Sequence, residues 1–181
     1  MVDRLSKIDW LQAGFRALTE SGPQALKAEP LARSLKVSKG SFYWHFKDIS
    51  DFQKVMVEHW KQGATANVIA QINSGTDQPK AKLHKLVSHS TALPRERYGG
   101  PASESAIRDW ARYDETVAKA VSAIDQQRLA FTEALFEAAG HPQPALAARL
   151  LYSALIGLEI LAASGQATPE DDLAALLNTL I

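Results

Sequence analysis

The chain of 181 residues carries 20 Lys and Arg against 20 Asp and Glu, so its formal net charge is zero. Its length is that of one ordinary domain or slightly more, which excludes a large multidomain machine. The balanced charge argues against a disordered acidic or basic tail. The absence of cysteine excludes disulfides and thiol nucleophiles, and it is consistent with the reducing cytoplasm in which we expect the protein to reside.

The zero net charge hides an uneven distribution along the chain. Residues 1–95 hold 14 basic and 8 acidic residues, whereas residues 96–181 hold 6 basic and 12 acidic residues. Residues 1–47 alone hold 8 basic and 4 acidic residues. A basic front half indicates that one part of the chain meets a polyanion and the other does not.

The composition predicts an all-α fold. Ala and Leu supply 50 residues, while Val, Ile and Thr together supply 25, and this balance favours helix over strand. No signal peptide is expected at the start of the chain. The most apolar stretch, residues 145–163, is interrupted by Arg149, Ser153 and Glu159, so we expect no membrane span and no membrane partner.

Capping signals and breaks predict the first helices. A capping box formed by Ser6 and Asp9 opens a first amphipathic helix, which ends at Gly22 and Pro23. Residues 28–35 fit a second short helix because a proline in its first turn loses no helical hydrogen bond.

The next helix is expected to be very short. Ser38 can cap it, and it is predicted to run from Lys39 to about His45. A further capping box at Asp48 and Asp51 then opens a fourth helix that continues to about residue 73.

Apolar periodicity between Gly- and Pro-rich breaks predicts five more helices, which makes nine in all. They are expected over residues 79–93, 103–113, 114–139, 144–164 and 169–181.

The second and third helices, joined by a tight turn, have the form of a helix-turn-helix. In such a unit one helix enters the DNA major groove while its neighbour crosses the backbone. Phe42 and Phe46 lie four residues apart and are predicted to pack inward. The residues left for the outer face carry hydroxyl, amine and ring N–H groups that can donate to phosphates or base edges. They are Lys39, Ser41, Tyr43, Trp44, His45 and Lys47. Gly40 would let the helix backbone approach DNA closely.

Two simpler interpretations stay open at this point. An aromatic cluster such as residues 42–46 is ordinarily part of a core. The cations Lys27, Arg33 and Lys36 can equally form a solvated face.

At these residues the sequence resembles the TetR-type (tetracycline-repressor-like) bacterial transcriptional regulators. The resemblance rests on Leu31 and Ala32, on the run Val37-Ser38-Lys39-Gly40-Ser41-Phe42-Tyr43-Trp44-His45-Phe46, and on the capped helix start that ends at Phe52. It is strong over residues 8–52, and beyond them it covers mainly the number and order of helices. It implies a helix-turn-helix DNA-binding domain over residues 1–50 and a ligand-binding and dimerisation domain over residues 51–181.

The resemblance also implies roles for single residues. Tyr43 and His45 are expected to hold phosphates. The residues expected nearest to the bases or backbone of the groove are Ser38, Lys39, Gly40 and Ser41. Trp44, Lys27 and Lys47 complete the predicted DNA-binding set.

Three positions depart from the family pattern. Lys36 stands where the family usually has glycine, so either a residue with positive φ is slightly strained there or the turn is slightly altered. Lys27 stands where a capping Thr or Ser is usual; it cannot accept from an amide but can contact a phosphate. Ile49 stands where Lys is frequent, and Lys47 is expected to replace that contact.

The sequence gives no reason to expect an enzyme, a metal or a cofactor. His84 and His89 are five residues apart and have no carboxylate at ligand spacing. The opposite charges of Glu104, Arg108 and Asp109 are expected to pair on a helix surface. No nucleophile is accompanied by a base and an orienting group.

The last two helices predict a homodimer. The helix within residues 145–163 is apolar on more than one face, which calls for two packing partners, and the last helix carries an apolar stripe. The predicted interface consists of Leu151, Leu155, Leu158, Leu173, Leu176, Leu177 and Leu180. Burial of these residues within a monomer is the alternative.

The resemblance further implies a small-molecule effector held in the body. Candidate ligand-binding residues are Trp60, His89, Ile107, Trp110 and Phe131, although such large residues are often plain core. Their character favours an apolar or aromatic effector. The expected function is a repressor that binds a palindromic operator as a homodimer and is released by that effector. The alternative is an all-helical small-molecule-binding or enzymatic bundle whose head no longer binds DNA, for which Lys36 and Ile49 would be the supporting departures.

Overall fold

A computed structural model of the protein describes residues 5–75, 78–92 and 102–181, which form helices and no strand. The first half holds α1 (Lys7–Ser21), α2 (Ala28–Ser34), α3 (Lys39–Tyr43) and α4. Helix α4 begins as Ile49–Lys61, passes through a π-helical segment, Gln62–Ala66, and ends as Asn67–Asn73. The second half holds α5 (Pro79–Ala92), α6 (Ser103–Trp110), α7 (Glu115–Ala138), α8 (Pro144–Ala162) and α9 (Pro169–Leu180). Counted this way, the described residues contain the nine predicted helices.

The predicted capping boxes explain where α1 and α4 begin. The Ser6 amide donates to the Asp9 carboxylate at 2.7 Å, and the Asp9 amide donates to the Ser6 hydroxyl at 3.4 Å. At α4 the Asp51 amide donates to Asp48 at 2.8 Å, while the Asp51 carboxylate accepts from the Lys47 amide at 3.0 Å. The Asp51 carboxylate therefore accepts from the amide of the residue before Asp48, whereas in a standard capping box it accepts from the amide of the N-cap residue itself.

The chain divides into two compact units, of which the first comprises Met1–Trp60 and Pro94–Ala120. Within it α1 packs against α2 and α6, and the largest buried side chains include Trp10, Phe15 and Trp60. Helices α1 and α4 approach closely at Gly14. A Cβ atom at this position would lie 2.5 Å from Phe52 Cζ and 2.7 Å from Met56 Sδ, so only glycine fits there without displacing its neighbours.

The second unit comprises Lys61–Leu93 and Val121–Ile181. Helix α9 packs against both α5 and α8. The core between them includes Leu83, Val87, Leu135, Phe136, Leu151, Leu173 and Leu177. Each helix of this unit therefore contributes an apolar stripe to one shared core.

Helix α8 is more apolar than the sequence reasoning allowed. It is 19 residues long with a mean hydropathy of 1.7, so by length and composition it is long and apolar enough to cross a membrane. It meets that criterion despite the polar residues Arg149, Ser153 and Glu159. One such helix is weak evidence for a membrane span, because core helices of soluble proteins have the same length and hydropathy.

Candidate nucleic-acid interface

The turn between α2 and α3 closes on Lys36, the residue that replaces the usual glycine. Lys36 has a φ of 57°, and it is the one non-glycine residue with positive φ among those that the structure describes. Its amide donates to the Arg33 carbonyl at 3.1 Å, and the Val37 amide donates to the Ala32 carbonyl at 3.0 Å. These two bonds form a Schellman motif. Of the two alternatives for this position, the structure has the positive φ, and the turn keeps its hydrogen bonds.

Helix α3 is oriented by an aromatic core centred on Phe42. The Phe42 ring lies 5.4 Å from Trp10, 5.1 Å from Phe46 and 5.5 Å from Phe52, measured between ring centroids. Phe42 and Phe46 are buried, as their spacing predicted. Edge-to-face and tilted ring contacts of this kind fix the orientation of a helix as short as five residues.

The opposite side of α3 faces solvent. Lys39 and Gly40 are exposed, and the exposed fraction is 52% for Tyr43 and 77% for Trp44. Solvent exposure of large aromatic residues beside lysines is the pattern expected of a surface that contacts nucleic acid.

The third helix ends earlier than predicted. It runs from Lys39 to Tyr43, so Trp44 and His45 belong to the turn that follows. His45 is half-buried, and its amide donates to the Phe42 carbonyl at 3.0 Å. Ser38 occupies the N-cap position, but its side chain makes no capping hydrogen bond, so the predicted capping role of Ser38 was wrong. Ser41 is half-buried on the same helix.

The remaining predicted cations flank α3. Lys27 is the N-cap residue of α2 and is exposed, and Lys47 is exposed just before α4. Arg33 pairs with Glu29 at 3.2 Å on the surface, and such exposed pairs contribute little to stability. The structure thus brings the whole predicted DNA-binding set to α3 and to the ends of its neighbouring helices, all within the first unit.

The beginning of α1 lies close enough to this region for electrostatic influence. Hydrogen bonds from the Ser6 side chain and backbone lower the pKa of Asp9, and His45 lowers it further through charge attraction. The ammonium group of Lys7 lies 5.2 Å from the centre of the Phe46 ring. Lys7 therefore adds a cation beside α3 that the sequence reasoning had not included.

Comparison with known proteins gives one match by sequence and several by structure. Residues 11–52 match the family model of bacterial regulatory proteins of the tetR family, and no curated protein matches the chain. A solved transcriptional regulator from Rhodococcus sp. Rha1 is 18% identical, with 97% of this chain and 96% of that chain covered and a TM-score of 0.78. The reduced form of NemR from E. coli is 17% identical, with 97% of each chain covered and a TM-score of 0.76. A transcriptional regulator from Saccharomonospora viridis in complex with choline is 15% identical, with 96% of this chain and 93% of that chain covered and a TM-score of 0.74.

The family match by sequence spans residues 11–52. The match by sequence covers the helix-turn-helix, and the solved structures share the fold of nearly the whole chain at low identity. The chain therefore combines a helix-turn-helix that matches the tetR family with an all-helical fold that the solved structures share.

The candidate ligand-binding residues of the protein fall into both units. Trp60, Ile107 and Trp110 are at most 4% exposed and belong to the first unit. His89 and Phe131 are half-buried and belong to the second unit, where Phe131 packs against the core. The first three residues thus have the burial of core residues, the simpler reading of large apolar side chains.

The predicted dimer residues also divide by burial. Leu151, Leu173 and Leu177 are buried in the core of the second unit. Leu155, Leu158, Leu176 and Leu180 are half-buried and pack against that core. The large apolar side chains of α8 that are exposed are instead Leu146, Leu150, Ile160 and Leu161.

Sequence reasoning missed one polar cluster in the second unit. Arg128 on α7 donates to Thr65, to the Ala64 carbonyl and to Tyr152 at 2.9–3.2 Å. The partners are 24 to 64 residues away along the chain, so no local spacing could indicate this cluster.

Proposed function

We propose that the protein is a TetR-type transcriptional regulator that binds a palindromic DNA operator as a homodimer, acts as a repressor, and is released from DNA by a small apolar or aromatic molecule. The observation that carries the DNA-binding part is the outer side of α3, where exposed Tyr43 and Trp44 lie beside Lys39 while Phe42 anchors the helix from within. Residues 1–50 then act as the DNA-binding domain and residues 51–181 as the ligand-binding and dimerisation domain.

We propose different tasks for the residues on and beside α3. The hydroxyl of Tyr43 and the imidazole of His45 donate to phosphates, while Ser38, Lys39, Gly40 and Ser41 lie nearest to the groove. Phosphate contacts set affinity and orientation, and contacts to base edges set sequence preference. Lys27 and Lys47 add salt-dependent attraction to the backbone.

Dimerisation supplies the second recognition helix. Two such helices read a palindromic site when they enter successive major grooves roughly 34 Å apart. The support for an interface on α8 is its exposed apolar side chains, among which Leu150 is 48% exposed. Burying a row of such residues against the same row of a second copy is the usual arrangement in two-fold dimers.

The effector is proposed to act by binding the DNA-incompetent state more tightly than the competent state, since only such a difference can shift the equilibrium. A regulator of the same fold holds choline, which supports the proposal that the body of this fold accepts a small molecule. The half-buried His89 and Phe131 are the candidates whose rings a ligand can contact. We place the protein in the cytoplasm, where its DNA is found.

The rival interpretation, a bundle whose head no longer binds DNA, depended on Lys36 and Ile49. The Schellman hydrogen bonds around Lys36 are intact, so this departure leaves the turn of the helix-turn-helix in place. The exposed Lys47 supplies a cation next to Ile49, which favours the DNA-binding interpretation.

The test of DNA binding starts from random duplexes from which the purified protein selects its own site. Wild-type affinity for the selected duplex is then compared with that of Tyr43→Ala and His45→Ala at several salt concentrations. A hydrogen bond to a charged group contributes about 1.5–3 kcal/mol, and a dimer loses two of them, so each variant should bind about 100-fold more weakly or worse. Lys47→Ala should weaken all sequences alike and lower the salt slope by about one unit per contact.

The matched control is Tyr113→Ala, because Tyr113 is 76% exposed and lies outside the helix-turn-helix. This variant should bind DNA like the wild type. Unchanged affinity and salt slope in both the Tyr43 and His45 variants would show that α3 is not the recognition helix. Failure to select any duplex would favour the rival interpretation.

A further inference from the structure

Helix α4 departs from α geometry in the middle of its length. In the segment Gln62–Ala66 the turns are π-helical, and the Asn67 amide donates to the carbonyl of Gln62, five residues back. The local sequence Gln-Gly-Ala-Thr-Ala contains no proline and a single β-branched residue, so it does not forbid a regular α-helix. π segments are rare in proteins and are frequent at functional positions. Something outside the segment must therefore hold it in this form.

The contacts that hold the π segment come from Arg128 on α7. Its Nε atom donates to Thr65 Oγ1 at 2.9 Å, and its Nη2 atom donates to the Ala64 carbonyl at 3.2 Å. Thr65 is buried and lies inside the segment. In a regular helix the Ala64 carbonyl is directed along the axis towards the amide of Val68. A charge-assisted bond from a guanidinium is roughly twice as strong as a neutral one, which favours the conformation that keeps it.

A residue on α8 orients the same guanidinium. The Tyr152 hydroxyl accepts from Arg128 Nη1 at 3.1 Å and donates to the Asp125 carboxylate at 2.7 Å. The guanidinium carbon also lies 5.8 Å from the centre of the Tyr152 ring. One arginine thus connects the backbone of α4 to α7 and α8, and its side chain is fixed from both sides.

We propose that α4 has two registers, that the π segment is one of them, and that Arg128 selects it. In the second register residues 62–66 form a regular α-helix and the Asn67 amide bonds to Gly63 instead of Gln62. Moving one residue into or out of a helix changes the position of the following residues by about 1.5 Å along the axis and about 100° around it. Since contacts from α7 and α8 decide between the registers, any event that displaces Arg128 is converted into a rotation within α4.

This inference deepens the proposed function, because α4 is the helix in which the chain leaves the first unit, after Trp60. The effector response would then be a change of register in one helix, α4. The test below uses the protein without DNA, so its failure is distinguishable from a failure of DNA binding.

The test is a distance measurement within α4. The chain has no cysteine, so nitroxide labels introduced through Lys54→Cys and Gln71→Cys occupy only these two exposed positions. Pulsed electron resonance then reports the distance distribution between the labels. The protein with Arg128 should give one main distance, and Arg128→Met, which keeps much of the length but none of the donors, should shift the distribution to a second one.

Two further variants make the result decisive. Thr65→Val removes one acceptor at nearly constant shape and should add a minor population at the second distance. Deleting Gln62, an exposed residue, shortens the chain by the one residue that the π segment accommodates. In the variant that lacks Gln62, α4 should already be a regular α-helix before Arg128 is changed. Adding Arg128→Met to it should therefore leave the label distance unchanged.

The proposal is overturned if Arg128→Met and Thr65→Val both keep the wild-type distribution. It is also overturned if Arg128→Met shifts the distance equally with and without Gln62, because the shift would then not depend on the extra residue. If Arg128→Met does not fold, Thr65→Val decides alone, and a single unshifted distance in that variant refutes the register change.

Discussion

Replacing Gly14 by alanine is expected to destabilise the protein through a single methyl group. That Cβ atom would lie 2.5 Å from Phe52 Cζ, 3.0 Å from Phe52 Cε1 and 2.7 Å from Met56 Sδ. Phe52 and Met56 are both fully buried, so neither side chain can move away without displacing further core atoms.

The size of the effect follows from two opposing contributions. Overpacking a well-packed core costs typically 1–3 kcal/mol, and contacts this short put the cost of Gly14→Ala at about 3 kcal/mol. Alanine gains about 1 kcal/mol over glycine inside a helix. The net loss is therefore about 2 kcal/mol, which lowers the melting temperature of a protein of this size by about 4–8 °C.

The assay is thermal unfolding followed by circular dichroism, with Gly40→Ala as the matched control. Gly40 is also helical and lies in the same unit, but its nearest neighbour would be Ser38 Oγ at an ordinary 3.7 Å. The control should melt at or slightly above the wild-type temperature while losing DNA affinity, if its backbone approaches DNA closely. In the double variant Gly14→Ala with Phe52→Leu, the loss should be smaller than the sum of the single losses, since leucine lacks the nearest ring atoms. Melting of Gly14→Ala at or above the wild-type temperature would refute the described packing of α1 on α4.

Three further predictions concern other parts of the structure. Lys36→Gly should raise the free energy of unfolding by about 1 kcal/mol, because glycine adopts positive φ without strain, whereas Lys36→Ala should bring no such gain in urea unfolding. Asp9→Asn should reduce the loss of stability in acid: hydrogen bonds lower the pKa of Asp9 below its ordinary 3.8, so its contribution is full at neutral pH and disappears as the pH falls through the lowered value. An unchanged dependence of stability on pH would contradict this role. Leu150→Glu should turn the dimer into a monomer in sedimentation at micromolar concentration, while Ser122→Glu, at an exposed position of α7, should not; a monomeric wild-type protein would remove the dimer proposal.

The parts of the structure that follow from local rules could be predicted from the sequence. The capping boxes at Ser6 and Asp48, the breaks at Gly22 and after α3, and the inward spacing of Phe42 and Phe46 all act over four residues or fewer. The positive φ of Lys36 was one of two expectations for the same reason, since a turn of this kind requires it unless the turn itself changes.

The parts that depend on long-range packing could not be predicted. The periodicity of α9 was correctly read as an apolar stripe, but nothing in it could tell whether Leu173 and Leu177 face their own core or a second subunit. The structure buries them because α9 lies against both α5 and α8. The contact between Arg128 and Thr65 joins residues 63 positions apart, and the π segment that depends on it has no signature in Gln-Gly-Ala-Thr-Ala.

The four tryptophans differ in burial, and this difference makes the protein's own fluorescence a local probe. Trp10, Trp60 and Trp110 are at most 4% exposed, whereas Trp44 is 77% exposed at the end of α3. A water-soluble quencher such as iodide should therefore extinguish mainly the red-shifted emission of Trp44 and leave the emission of the other three. An unlabelled sample thus carries an optical reporter at the proposed DNA surface, and binding of a duplex there should protect one indole from the quencher.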